Sequence, residues 1–140
     1  MITNTPIKVR YQETDQMGVV YHANYLIWFE IGRTAFIEEL GFKYHEMEAE
    51  GIVSPVIDAK IQFKQPIRYG EEAYVETWLE SYNGIRTTYG YRILNNNNEV
   101  AVTGETQHVI VQKHSFRPQS LKKKFPDWHH AYEKAIRKDK

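Results

Sequence analysis

The chain has 140 residues, 41% of them apolar and 26% charged, which is the balance of one folded domain able to bury its own core and not of a disordered tail. Its formal net charge is zero, so it lacks the basic excess by which duplex nucleic acid is held, and nucleic acid is excluded as an expected partner. With no cysteine, thiol catalysis, thiolate metal sites and disulfides are excluded together.

The first residues lack a basic stretch followed by an apolar one, and no apolar run reaches membrane-spanning length. A cytoplasmic location without a transmembrane segment is therefore expected. Aromatic residues, ten of them tyrosines, make up 14% of the chain and lead one to expect an interface or a flat ligand pocket.

Apolar and polar residues alternate over Ile7 to Tyr11, predicting a first strand. A polar loop follows from Gln12 to Val19, with Gly18 available for a positive φ. A long helix is predicted from about Asn24, as its N-cap, to Leu40, with Gly41 as the stop. Tyr25 to Phe29 are apolar on every side, the pattern of a helix surrounded by protein, and Glu30, Arg33, Thr34 and Glu38 then form a polar stripe. Tyr44 to Glu50 reads as a short second helix.

Four strands are predicted next. Ile57 to Lys64 alternates as a half-exposed strand. Glu72 to Tyr82 and Ile85 to Leu94 flank Asn83-Gly84, a strong hairpin signal, and Asn95 to Asn98 reads as the following turn. Glu99 to Gln112 is expected as one long strand bent at Gly104. Ser115 to Pro126 reads as loop, and Asp127 as the cap of a helix over Trp128 to Lys138. One long helix with a mostly antiparallel sheet is an α+β arrangement, with the sheet wrapped over the helix.

Asp15 lies just ahead of the long helix. It reads either as an Asx-turn residue or as a functional carboxylate beside a helix mouth where backbone donors converge. His22, at the helix entry, reads either as a partner to a neighbouring group or as a substrate contact. The six histidines form no metal-ligand motif: His108 and His114 would stand roughly 20 Å apart on a regular strand, and His129-His130 beside Asp127 is a weak metal candidate that reads rather as surface. No Gly-x-Ser-x-Gly elbow, phosphate-binding glycine loop or dinucleotide fingerprint is present. The run Lys122-Lys123-Lys124 reads as a solvated loop.

The pattern Tyr11-x-x-Thr14-Asp15-x-x-Gly18-x-Val20-Tyr21-His22-x-Asn24-Tyr25, with Glu30-x-x-Arg33 behind it, resembles the acyl-CoA thioesterases of the hotdog fold. Within them it is most similar to the 4-hydroxybenzoyl-CoA thioesterase branch and its Tol-Pal-associated relatives. The likeness in element order runs from Ile7 to about Val111, so the resemblance implies a single domain over 1–140 with its core at about 7–113 and an extension at 114–140. It implies a long central helix wrapped by a curved five-stranded antiparallel sheet. It also implies a homodimer or homotetramer with the active site between subunits.

Asp15 falls at the position of the family's catalytic carboxylate, as nucleophile or general base. His22 falls where a helix-start amide polarises the thioester carbonyl. The resemblance further implies that Tyr25 and Ser54 line the substrate site, and that Arg86 and Arg117 lie near where relatives hold the coenzyme A phosphates. At Asn83-Gly84-Ile85-Arg86 the chain has fewer basic residues than the benzoyl-CoA enzyme. The implied substrate is an acyl-CoA or an acyl carrier protein thioester, with coenzyme A as part of the substrate and no other cofactor. An acyl-thioester dehydratase and a non-catalytic acyl-CoA-binding module are the alternatives.

Overall fold

The computed structural model describes residues 1–137; the predicted helix end at Lys138 lies outside the described residues. Five strands form one antiparallel sheet in the order β1, β4, β5, β6, β3. These are β1 (Ile2–Lys8), β3 (Val56–Phe63), β4 (Glu72–Tyr82), β5 (Arg86–Leu94) and β6 (Val100–Val109). The sheet packs against the long helix α1 (Asn24–Glu39). A small ribbon of β2 (Ile52–Val53) and β7 (Val111–Gln112) lies beside it. Helix α2 (Tyr44–Ala49) precedes β2, and α3 (Leu121–Lys124) and α4 (Pro126–Ala135) close the described chain.

Alternating positions of the central strands point at the helix, as a period of two requires. Ala73, Val75, Thr77 and Leu79 of β4 and Tyr89, Tyr91 and Ile93 of β5 are buried beside Trp28, Phe29 and Phe36 of α1. Two glycines let helix and sheet approach. A Cβ on Gly32 would stand 2.8 Å from Val75, and one on Gly104 would stand 2.5 Å from the Phe29 ring and 2.8 Å from the Lys60 carbonyl. Gly104 is therefore a seat for Phe29 and not a bend. It pairs with Ile61 in unbroken register, and the predicted long strand breaks instead at Ile110.

Other predicted elements shift for physical reasons. β1 runs from Ile2, not from Ile7 to Tyr11, because Ile2 to Lys8 pair in register with Trp78 to Glu72. Tyr11 to Glu13 form one 3-10 turn. Asn24 is not an N-cap, since its side chain donates to the Glu13 carbonyl and Ala23 ahead of it is already helical. Pro126 opens α4, where its missing N–H costs nothing, so the helix starts before Trp128 and ends at Ala135. About one turn of the predicted loop before it, Leu121–Lys124, forms α3 instead.

The sharpest departure is β3. Seven of its eight residues are exposed, where a half-buried strand was predicted. Among the described residues it pairs only with β6, and no strand lies on its outer side. Leu26, Ile27 and Ile31 are likewise exposed on α1, so that helix is not enclosed on every side by its own chain.

Candidate active site

The loop ahead of α1 is a tight excursion held by a short ladder. Thr14 pairs with Val20, and the Tyr21 amide donates to the Glu13 carbonyl at 2.9 Å. Gly18 takes a φ of 78°, and the Asp15 amide donates to the Val19 carbonyl. Asp15 is partly exposed at the tip, and its Oδ1 accepts the Met17 amide at 2.8 Å. That is the Asx turn expected of a bland loop aspartate, and it also fixes the carboxylate's direction while leaving Oδ2 open.

The ladder delivers the chain into α1 with its first amides outward. His22 and Ala23 are exposed, and neither backbone N–H has a hydrogen-bond partner among the described residues. Free amides at a helix start carry partial positive charge and suit a developing oxyanion. The His22 ring stacks loosely on Tyr21 and meets Phe63 edge-on at 6.2 Å. Tyr25 is buried in the wall beneath, edge-on to Trp28 and 5.8 Å from Phe63. Burial raises its hydroxyl pKa, against the Ile67 amide that lowers it. Asp15, His22 and Tyr25 thus gather at one helix mouth.

Glu13 anchors this loop, and no local pattern in the sequence marks it. Its carboxylate is buried, yet it accepts the Trp28 indole at 2.9 Å, the Arg10 amide at 2.8 Å and the Arg10 guanidinium at 3.3 Å. Desolvation pushes its pKa up, but the three hydrogen bonds and the Arg10 charge outweigh it, and the net shift is downward. Trp28 lies 15 positions away, so only the fold joins them.

The remaining predicted residues lie elsewhere. Ser54 borders an interior cleft of about 230 Å³ between α1 and the sheet, whose mouth carries Glu30, Thr34 and Val56. Its amide donates to the Tyr44 hydroxyl at 2.8 Å. Its carbonyl accepts from His108 Nδ1 at 2.9 Å, which leaves Nε2 to accept from Thr106. The Thr106 hydroxyl then accepts from Tyr91, and Arg33 reaches the Tyr91 hydroxyl at 3.5 Å. Burial pushes the His108 pKa down to about 4, against the Ser54 carbonyl that raises it, so the imidazole is neutral. Arg86 and Arg117 are exposed and border the junction at Ile110. Arg86 is paired with Val109, and the Arg117 carbonyl accepts the Gln112 amide.

The described residues hold one group with metal-like proximity, His129, His130 and Glu133 of α4, whose ligand atoms lie within 4.8 Å of one another. Glu133 already bridges both imidazoles at 3.4 Å. His129 is buried and bonds the Tyr82 hydroxyl at 2.6 Å, not a surface residue as its sequence suggests. No helix among the described residues is long and apolar enough to cross a membrane.

A long helix cradled by a five-stranded antiparallel sheet, with a carboxylate loop at the helix mouth, is the hotdog architecture of thioesterases. Residues 9–131 match the family model described as the Thioesterase-like superfamily, and the chain belongs to that family. Over 134 residues it is 54% identical to the Bacillus subtilis protein named "Putative acyl-CoA thioesterase YneP", covering 96% of this chain and 97% of that one. The crystal structure of a DHNA-CoA thioesterase from Staphylococcus aureus superposes with a TM-score of 0.93 at 46% identity, covering 95% of this chain and 89% of that one. A more distant relative, the 1,4-dihydroxy-2-naphthoyl-CoA hydrolase of Synechococcus elongatus, is 25% identical over 122 residues, covering 86% and 89%. The chain is an enzyme of the thioesterase class.

Proposed function

We propose that the chain hydrolyses the thioester of an aromatic acyl-CoA at the mouth of α1, releasing the free acid and coenzyme A. The observation that carries this reading is the Asp15 loop. A carboxylate with one oxygen open stands beside two unpartnered helix-start amides. The thioester carbonyl seats against the His22 and Ala23 amides, which stabilise the oxyanion as charge develops. Losing one such donor typically costs roughly 2.7–4 kcal/mol of transition-state stabilisation. Asp15 either attacks the carbonyl carbon, expelling the thiolate and leaving a mixed anhydride that water opens, or takes the proton of the attacking water. A single turnover in 18O-labelled water tests for the anhydride, because label in the Asp15 carboxylate requires water to open such an intermediate at the Asp15 carbonyl.

The aromatic acyl class is supported by the relatives named for DHNA-CoA and 1,4-dihydroxy-2-naphthoyl-CoA. Coenzyme A rather than a carrier protein is favoured by the same names. Arg86 and Arg117 are our candidates for the nucleotide phosphates, and the chemistry needs no cofactor. The Asp15 loop is open to solvent in one chain, and exposed Leu26 and Ile27 of α1 and Phe63, which meets the His22 ring, lie close by. A second copy covering these residues, alone or within a tetramer, would enclose the site and exclude water from it.

Free-thiol release from a panel of aliphatic and aromatic acyl-CoAs, with Asp15→Asn beside the wild type, tests the reading. Turnover of aryl esters by the wild type, abolished in the variant, supports it. Thiol release undiminished in Asp15→Asn removes Asp15 from the mechanism.

A further inference from the structure

Trp128 and Tyr132 of α4 wall the interior cleft opposite Tyr89 of β5. His129, His130 and Glu133 of the same helix belong neither to that cleft nor to the helix mouth. Helical spacing sets Glu133 four residues after His129 and three after His130, so its carboxylate can meet both rings. Its Oε1 lies 3.4 Å from His129 Nε2 and 3.4 Å from His130 Nδ1. All three ligand atoms lie within 4.8 Å of one another.

These separations fit a common cation better than they fit hydrogen bonds. Around a tetrahedral ion with bonds of about 2.0–2.1 Å, neighbouring ligand atoms stand about 3.3 Å apart. Both imidazole-to-carboxylate separations already have that value. The remaining one, between the two imidazoles, closes by rotation of the His130 side chain, which is exposed and free to turn.

A second observation concerns the buried ring. His129 lies against the Asn83-Gly84 turn, where a Cβ on Gly84 would stand 3.8 Å from its Cε1. Its Nδ1 shares a hydrogen bond of 2.6 Å with the Tyr82 hydroxyl at the end of β4. When Nδ1–H donates to the Tyr82 oxygen, Nε2 turns its lone pair toward Glu133. Metal-bound histidines are held in this way through their other nitrogen. Burial first, and the Glu133 charge second, raise the Tyr82 pKa, so the phenol stays neutral and acts as a support, not a ligand.

We infer that His129 Nε2, His130 Nδ1 and Glu133 Oε1 form a three-ligand site for a divalent cation of the zinc type, clipping α4 to the β4–β5 hairpin through Tyr82. Two imidazoles and one carboxylate select such an ion over calcium or magnesium, which prefer all-oxygen shells. A fourth position is left to water. The site stands apart from the thioesterase reading and does not depend on it.

The test titrates the chelator-stripped chain with Zn2+ by calorimetry and with Co2+ by visible absorption, beside His130→Ala, Glu133→Gln and Tyr82→Phe. The wild type is expected to take up a single Zn2+ per chain, to melt at a higher temperature as zinc is added, and to give the strong visible bands of four-coordinate Co2+. His130 and Glu133 are exposed, so their variants should melt like the wild type without metal while binding zinc roughly tenfold or more weakly. Tyr82→Phe keeps all three ligands and should still lose roughly ten- to hundredfold in affinity. No saturable zinc binding by the wild type overturns the inference and leaves an ion pair only. Equal affinity in both ligand variants overturns it too, because the ion would then sit on other histidines. Unchanged affinity in Tyr82→Phe overturns the clip to β4.

Discussion

The helix mouth and the interior cleft are built on opposite plans. The Asp15 loop is polar and partly solvated, and its geometry comes from backbone hydrogen bonds across a few neighbouring residues. The cleft is walled largely by aromatic side chains, and the polar groups around it form a chain from Arg33 through Tyr91, Thr106 and His108 to the Ser54 carbonyl, drawn from four separate segments. Free donors and an open carboxylate suit chemistry, whereas a buried relay with one arrangement suits the holding of a shape. Changes at the mouth should therefore alter rate without stability, and changes in the cleft should alter stability first.

The largest effect expected of that contrast is at Asp15. Asp15→Asn keeps the acceptor for the Met17 amide, so the melting temperature should move by no more than about a degree, while kcat falls by roughly a thousandfold. A large loss of stability in this variant would break the comparison, because the loop would then be part of the structural frame.

His108 provides the opposite case. Its folded pKa of about 4 lies below the ordinary value of 6.5, so the unfolded chain binds the proton more readily between those values. The stability it contributes is complete above pH 6.5 and is lost as pH falls toward 4, on the order of 3 kcal/mol in all. Denaturant midpoints taken from pH 7 to pH 4 should fall steeply, and His108→Gln should flatten that slope. A slope unchanged in the variant would place the proton uptake elsewhere.

Glu13 sharpens the comparison by belonging to both regions. It is buried like a cleft residue but holds the mouth loop through Arg10 and Trp28. Glu13→Gln should cost roughly 1.5–3 kcal/mol of stability, since it weakens three hydrogen bonds to a charged acceptor, and should lower kcat with it. Its depressed pKa makes this stability present above the ordinary carboxylate range and lost as pH falls through the folded value. The variant should therefore lose less stability than the wild type on acidification; if chemical denaturation shows equal losses, the carboxylate is not the anchor.

The smallest effects are expected at the exposed cations. Arg86→Ala and Arg117→Ala should each raise KM for acyl-CoA by a few-fold at low ionic strength and leave kcat alone, with the difference fading as salt is added. A KM that is insensitive to both would move the phosphate site to other residues.

Much of this architecture was legible from local pattern. The Asn83-Gly84 hairpin signal placed β4 over its full span and β5 to within a residue, Asn95 to Asn98 placed the turn after β5, and apolar spacing placed α1 to within a residue. The carboxylate loop was legible too, because Asp15, Gly18 and His22 keep close fixed offsets and Gly18 has the positive φ such a turn requires. Each of these features is decided by residues a few positions apart, where backbone sterics and short-range hydrogen bonds act whatever the rest of the chain does.

Tertiary structure decided the rest. Gly104 looked like a bend and is the seat of Phe29, a fact held 75 positions away in α1. β3 carries the alternation of a half-buried strand but is bare on its outer side, since burial depends on which elements arrive beside it. Glu13 became an anchor only when Trp28 came within 2.9 Å, and the C-terminal segment became the wall of a cleft only when Trp128 and Tyr132 met Tyr89. Sequence alone specified most of the elements and the candidate carboxylate; packing selected which buried groups found partners, because that balance is set by distances between residues far apart in the chain.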